Sequence, residues 1–203
     1  KVGLTNPGAV ELLARGIWQR REDPFVLSFM QIASCPEDSS CERVMKCEEM
    51  LLFMRLLGVA RRHFCAPFAL QINFSCPNTG PHASTTLTFI LETLDIARLL
   101  DVPIIPKLAV DTPVEDAVTI AKHPACDAIC VSNTIPWEGI QGIDWERLFG
   151  SKLSPLAGLG KPGGGGLSGA PLLPLVEDWI TRFRRLDPKT PINGGGGILC
   201  PKD

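Results

Sequence analysis

Two carboxamides, a thiol and a turn lie within the eight residues Asn73-Phe74-Ser75-Cys76-Pro77-Asn78-Thr79-Gly80. Carboxamides read the carbonyl and N–H edges of a planar polar ligand, and a thiol can accept and return a proton. Further along stand Lys107 and the triplet Ser132-Asn133-Thr134. An ammonium such as that of Lys107 offsets negative charge on an anionic or electron-rich group. Two glycine-rich runs complete the set: residues 194–197, and residues 163–166 leading into Leu167-Ser168-Gly169. Glycine permits close backbone approach, so N–H groups in such runs can cradle a phosphate. Each piece alone also has an ordinary explanation: an Asx turn, a small buried cysteine, a solvent-facing lysine, a flexible glycine turn. Gly158-Leu159-Gly160-Lys161-Pro162-Gly163 matches G-x-G-x-x-G in form only. No convincing strand precedes it and Pro162 lacks the N–H that a phosphate would need, so it is not read as a dinucleotide fingerprint.

Position is what turns these pieces into a set. Short apolar runs at residues 24–32, 66–73, 102–108, 126–133 and 190–193 read as strands. Between and around them, residues 9–20, 41–63, 86–100 and 172–186 carry helical patterns. A further helix starts with Thr112 as its cap and Pro113 in its first turn and ends near His123. Strand and helix alternating about five times is the signature of a parallel sheet with crossover helices. The polar residues fall at the C-terminal ends of those strands: Ser28; Asn73, Cys76 and Asn78; Lys107; Ser132, Asn133 and Thr134; then the glycines from Gly194. Parallel α/β folds collect their chemistry at that end.

Composition narrows the classes. With 45% hydrophobic and 21% charged residues over 203 positions, the chain has the make-up of a globular protein rather than a disordered one. A formal net charge of −2 leaves no electrostatic footprint for nucleic acid. No apolar run reaches the roughly 18 residues of a membrane helix, and the first residues do not resemble a signal peptide. The expected location is therefore cytoplasmic. Eight scattered cysteines read as reduced packing residues, and Cys35, Cys41 and Cys47 do not have metal-ligand spacing. None of His63, His82 and His123 falls in a zinc-binding context, so no metal is expected. No compositional break divides the chain, and residues 1–203 read as one domain.

Taken together, the motifs resemble the dihydroorotate dehydrogenases, flavin enzymes built on a (β/α)₈ barrel. The matching segments are Val2-Gly3-Leu4-Thr5-Asn6-Pro7-Gly8, Asn73-Phe74-Ser75-Cys76-Pro77-Asn78, Pro106-Lys107-Leu108, Ser132-Asn133-Thr134, Gly165-Gly166-Leu167-Ser168-Gly169 and Gly195-Gly196-Gly197-Ile198. They occur in the family's order across essentially the whole chain. The resemblance implies oxidation of dihydroorotate to orotate in pyrimidine biosynthesis, with FMN across the barrel mouth and substrate stacked on the flavin. Cys76 matches the general base that removes the C5 proton while hydride passes from C6 to flavin N5. Asn73, Asn78, Asn133 and Thr134 match substrate-binding positions. Asn73, Lys107, Ser132, Gly169, Gly196 and Gly197 match contacts to the cofactor, with Lys107 near the flavin's N1–C2 carbonyl edge.

Cysteine as the base marks the soluble class, which passes electrons to fumarate, or to NAD through a partner subunit. Ser132-Asn133-Thr134 and Gly-Gly-Leu-Ser-Gly lean toward the quinone-using class, so the acceptor stays open. By the same resemblance the chain covers about the third to seventh strands of the barrel, the first two and the last lying outside it. It is therefore expected to be a fragment, and the complete protein a homo-oligomer. Two other readings stand beside this one. Another FMN-dependent pyrimidine-reducing oxidoreductase would share the fold, although Asn78 stands where dihydropyrimidine enzymes usually carry histidine. An inactive barrel remnant acting as a binding module would keep the pattern without a working site.

Overall fold

The computed structural model describes residues 6–32, 39–74, 87–157 and 165–201. Five parallel strands form its main sheet: β1 (Phe25–Phe29), β2 (Phe68–Asn73), β3 (Ile104–Leu108), β4 (Ile129–Val131) and β7 (Ile192–Gly194). They lie side by side in chain order, with β1 and β7 at the two edges. Parallel neighbours need a crossover, and helices supply it. These are α2 (Ser39–Ala60), α3 (Leu87–Ala97), α4 (Val114–Ala121) and α6 (Leu173–Leu186), with a short α1 (Ala9–Ala14) ahead of β1.

Side chains alternate between the two faces of a strand, so one register decides which residues meet the helices. Leu27, Leu70, Ile72, Ile104, Leu108, Ile129 and Val131 fall on one face and are buried. Each crossover helix turns an apolar stripe toward that face. Met50, Phe53, Met54 and Leu57 recur at helical spacing on α2, as do Phe89, Ile90, Leu94 and Ala97 on α3. Val114, Ala117, Val118 and Ala121 do so on α4, and Val176, Trp179 and Phe183 on α6. Neighbouring helices also touch in turn, α2 with α3, α3 with α4 and α4 with α6. Aromatic stacking tightens this layer: Phe29 lies on Phe53 with ring centroids 3.9 Å apart, and Trp179 on Phe183 at 5.3 Å. Burying each such side chain contributes about 1.5–3 kcal/mol, which makes this layer the main source of stability.

The opposite face of the sheet has a different character. Val26 is half exposed, Ala69, Gln71, Ile105 and Lys107 are partly exposed, and only Cys130 is buried. Ser28 Oγ donates to Gln71 Oε1 across it at 3.1 Å.

Two expectations change, and further elements appear. The first helix is expected over residues 9–20 but stops at Ala14, because Gly16 adopts φ +64° and the chain turns there, bringing Trp18 against the core. The fourth begins at Val114 rather than under a Thr112 cap. Pro113 keeps an extended ψ of 135° and takes the capping position, while the Thr112 carbonyl accepts the Trp179 indole N–H at 2.8 Å. Within the glycine- and proline-rich stretch after β4 lie further elements: β5 (Ile135–Pro136) paired antiparallel with β6 (Gly166–Leu167), and α5 (Trp145–Phe149). Asp144 caps α5 by accepting the Arg147 N–H at 3.0 Å. Among the described residues no helix is long and apolar enough to cross a membrane.

Candidate active site at the strand ends

Strand register brings the expected residues to one edge of the sheet. Asn73 ends β2 and stands opposite Lys107 of β3, which stands opposite Cys130 of β4, itself opposite Asn193 of β7. The backbone carries the alignment past the strands themselves. Phe74 N–H donates to the Lys107 carbonyl at 3.1 Å and Asn133 N–H to the Leu108 carbonyl at 3.0 Å. Ser132 N–H donates to the Gly195 carbonyl at 2.9 Å, and Gly195 N–H to the Val131 carbonyl at 2.6 Å. The segments leaving β2, β4 and β7 are thus held by the same ladder that holds the strands.

At the centre two amides meet. Asn133 Nδ2 donates to Asn73 Oδ1 at 2.6 Å, joining residues 60 positions apart, and Asn133 is only 8% exposed. Asn133 Oδ1 accepts the Thr134 N–H at 3.0 Å, and Asn73 Nδ2 points to the Met30 sulfur at 3.6 Å. Each amide is therefore oriented through both of its ends. A preset amide pair at a strand end reads a ligand's hydrogen-bonding edge without first having to order itself. A cavity of about 510 Å³ opens beside Asn73 between α1, β1 and α2, with Trp18, Ser28, Met30 and Phe53 in its lining.

The glycine positions form a second cluster. Gly196 has φ +100° and lies over Ser132, so a Cβ there would sit 3.5 Å from the Ser132 Cβ. Gly197 has φ +88°, and a Cβ on it would fall 2.6 Å from the Leu173 nitrogen and 2.9 Å from the Gly169 carbonyl oxygen. Only glycine fits that approach. Gly169, itself at φ +84°, precedes the turn that starts α6, so Ser132, Gly169, Gly196 and Gly197 meet at the N-terminal end of that helix. Backbone N–H groups at such an end suit an anion.

Asn73, Lys107, Ser132, Asn133, Thr134, Gly169, Gly196 and Gly197 are accordingly gathered at one end of the sheet. Cys76 and Asn78 lie outside the described residues, as do residues 1–5 of the first matching segment. The residues that sequence reasoning passed over are Met30, Cys130 and Asn193. Cys130 lies between Lys107 and Asn193 on the less covered face, and burial pushes its thiol up while the Lys107 ammonium pulls it down. Strand register, not residue type, marks Cys130 and Asn193, and the contact with the Asn73 amide marks Met30. Among the described residues no group of three His, Cys, Asp or Glu side chains is placed to hold a metal. No family model matches the chain, and no curated protein matches it.

Proposed function

We propose that this chain carries the catalytic site of an FMN-dependent dihydroorotate dehydrogenase on a (β/α)₈-barrel scaffold. The observation that supports the reading most directly is the Asn73–Asn133 pair beside Lys107. Asparagines and a lysine from the ends of three strands, Asn133 lying just beyond β4, converge where the resemblance requires readers of a pyrimidine and its carboxylate. The sheet supports the scaffold: its strands follow chain order and the helices line one face, whereas a doubly wound sheet reverses order and is covered on both faces.

The residues present suit FMN. Glycine is required at position 197 by the approach of Leu173 and Gly169, and that turn faces an α6 end fit for a phosphate. When bound, FMN supplies the hydride acceptor. Lys107 would hold positive charge where the bound cofactor gains electron density, and Ser132 and Gly196, which lie against each other, would border it. Asn73 and Asn133 orient the pyrimidine ring of the substrate through its carbonyl and N–H groups, with Asn78 and Thr134 completing the set. Cys76 takes the proton from C5 of dihydroorotate as hydride leaves C6, giving orotate. Fumarate, NAD through a partner subunit, or a quinone then receives the electrons.

Substituting Cys76 by alanine tests the base. Flavin reduction by dihydroorotate at neutral pH should slow about 10²–10⁴-fold, the usual contribution of a positioned base. Reduction at the unaltered rate would remove Cys76 from that role.

A further inference from the structure

The resemblance assigns nothing to Asn193, yet the sheet places it in the site's own row. Asn73, Lys107, Cys130 and Asn193 are successive cross-strand partners on β2, β3, β4 and β7. All four therefore lie on the same face of the sheet, away from the helix layer. Strands are spaced about 4.8 Å apart, so Lys107 and Asn193 flank Cys130 at roughly 10 Å from each other. Cys130 is buried, and its side chain is shorter than those of Lys107 and Asn193 on either side. The three form a row across the strands, with an ammonium on one side, a carboxamide on the other and a thiol between them.

Asn193 is also firmly placed. Its successors Gly194 and Gly195 are fixed to β4, the former as the partner of Val131 and the latter through two backbone hydrogen bonds. The side chain itself is exposed and takes part in no hydrogen bond among the described residues. On this edge strand its donor and acceptor are therefore available to a ligand.

We propose that Asn193 is a cofactor-reading residue, its carboxamide bonding the N–H and carbonyl edge of the flavin's pyrimidine ring on the far side of Cys130 from Lys107. This rests on the FMN reading above. A carboxamide suits that edge because it donates and accepts side by side, which neither a carboxylate nor a hydrocarbon does. The lysine and asparagine then divide the work: the ammonium senses charge, the amide senses the pattern of donor and acceptor.

Titration of the protein and its Asn193→Ala and Asn193→Asp variants with FMN, followed by flavin fluorescence quenching, tests the assignment. Asn193→Ala should weaken binding about tenfold, the loss of one net hydrogen bond at the upper end of its usual worth. Asn193→Asp should weaken it further and lower the reduction potential of the bound flavin, because a carboxylate opposes Lys107 when the flavin becomes anionic. Thermal unfolding of the apoprotein should be the same for all three, since the side chain packs on nothing. Unchanged FMN affinity in both variants overturns the role of Asn193 and leaves the flavin reading intact. If the parent protein binds no FMN, both fall together.

Discussion

The bond between Asn133 and Asn73 is the residue-scale feature on which the site depends. Asn133 is nearly buried, so removing Asn73 leaves it with a lost hydrogen bond in a place that water reaches poorly. Asn73 is partly exposed and loses the bond beside an open cavity when Asn133 is removed. Each single alanine substitution should cost about 1–3 kcal/mol in denaturant unfolding. The double variant should cost less than the sum of the two, by about 0.5–3 kcal/mol, as expected for groups in direct contact. Strict additivity would mean that the two amides do not support each other. At this scale the sequence was informative about residue type and silent about pairing. Asn73, Lys107 and Asn133 stood out because amides and a lysine followed apolar runs. Met30 and Asn193 did not, because their significance arises from tertiary placement: Met30 from its contact with Asn73, Asn193 from the strand residue opposite it.

At the scale of elements, the turn after β7 and the loop before it each make a testable demand. Gly197 has a left-handed φ, and a side chain there would collide with the backbone of Leu173 and Gly169. Gly197→Ala should therefore destabilise the protein by about 1–3 kcal/mol and weaken FMN binding together. Gly195→Ala, where no atom lies within 4 Å of the added Cβ, should change stability little, and equal losses in the two variants would contradict the geometry.

Before β7, Asp187 organises the loop. Its carboxylate accepts the Thr190 hydroxyl at 2.7 Å and the Lys189 and Thr190 N–H groups at 3.0 Å each, and these hydrogen bonds hold its pKa below the usual value. Because the folded value is the lower one, the stability that Asp187 contributes is present above the unfolded pKa of about 3.9 and is lost as pH falls through the folded value. The stability gap between the protein and Asp187→Ala should therefore be constant near neutrality and shrink in acid. A gap that widened as pH fell would reverse the sign of the linkage.

Most of the helices and strands could be read from period alone, because the crossover helices carry long apolar stripes and the strands are short apolar runs. What escaped were elements fixed by tertiary contact. The strands β5 and β6 have two residues each and exist only by pairing with each other. The early end of α1 was signalled by Gly16, whose left-handed φ a helical pattern does not reveal. Pro113 takes the cap in place of Thr112, whose carbonyl is engaged by Trp179, 67 residues away.

For the whole molecule, the decisive property is the asymmetry of the sheet. One face is sealed by four helices, while the other carries Lys107, Cys130, Gln71 and Asn193 and remains partly open. Alternation of polar and apolar residues made that division visible in β2 and β3, where Gln71, Asn73 and Lys107 interrupt otherwise apolar runs. It was hidden in β4, whose three residues are all buried. A polar face that ends in an oriented amide pair and a glycine cluster is suited to hold a planar, partly anionic ligand against the strand ends. The proposed function requires that this ligand be FMN and that dihydroorotate reduce it. The most direct measurement is anaerobic mixing of the flavin-loaded protein with dihydroorotate while the visible flavin absorbance is followed. The flavin should bleach as orotate forms. A bound flavin that stays oxidised in excess dihydroorotate would contradict the proposed function.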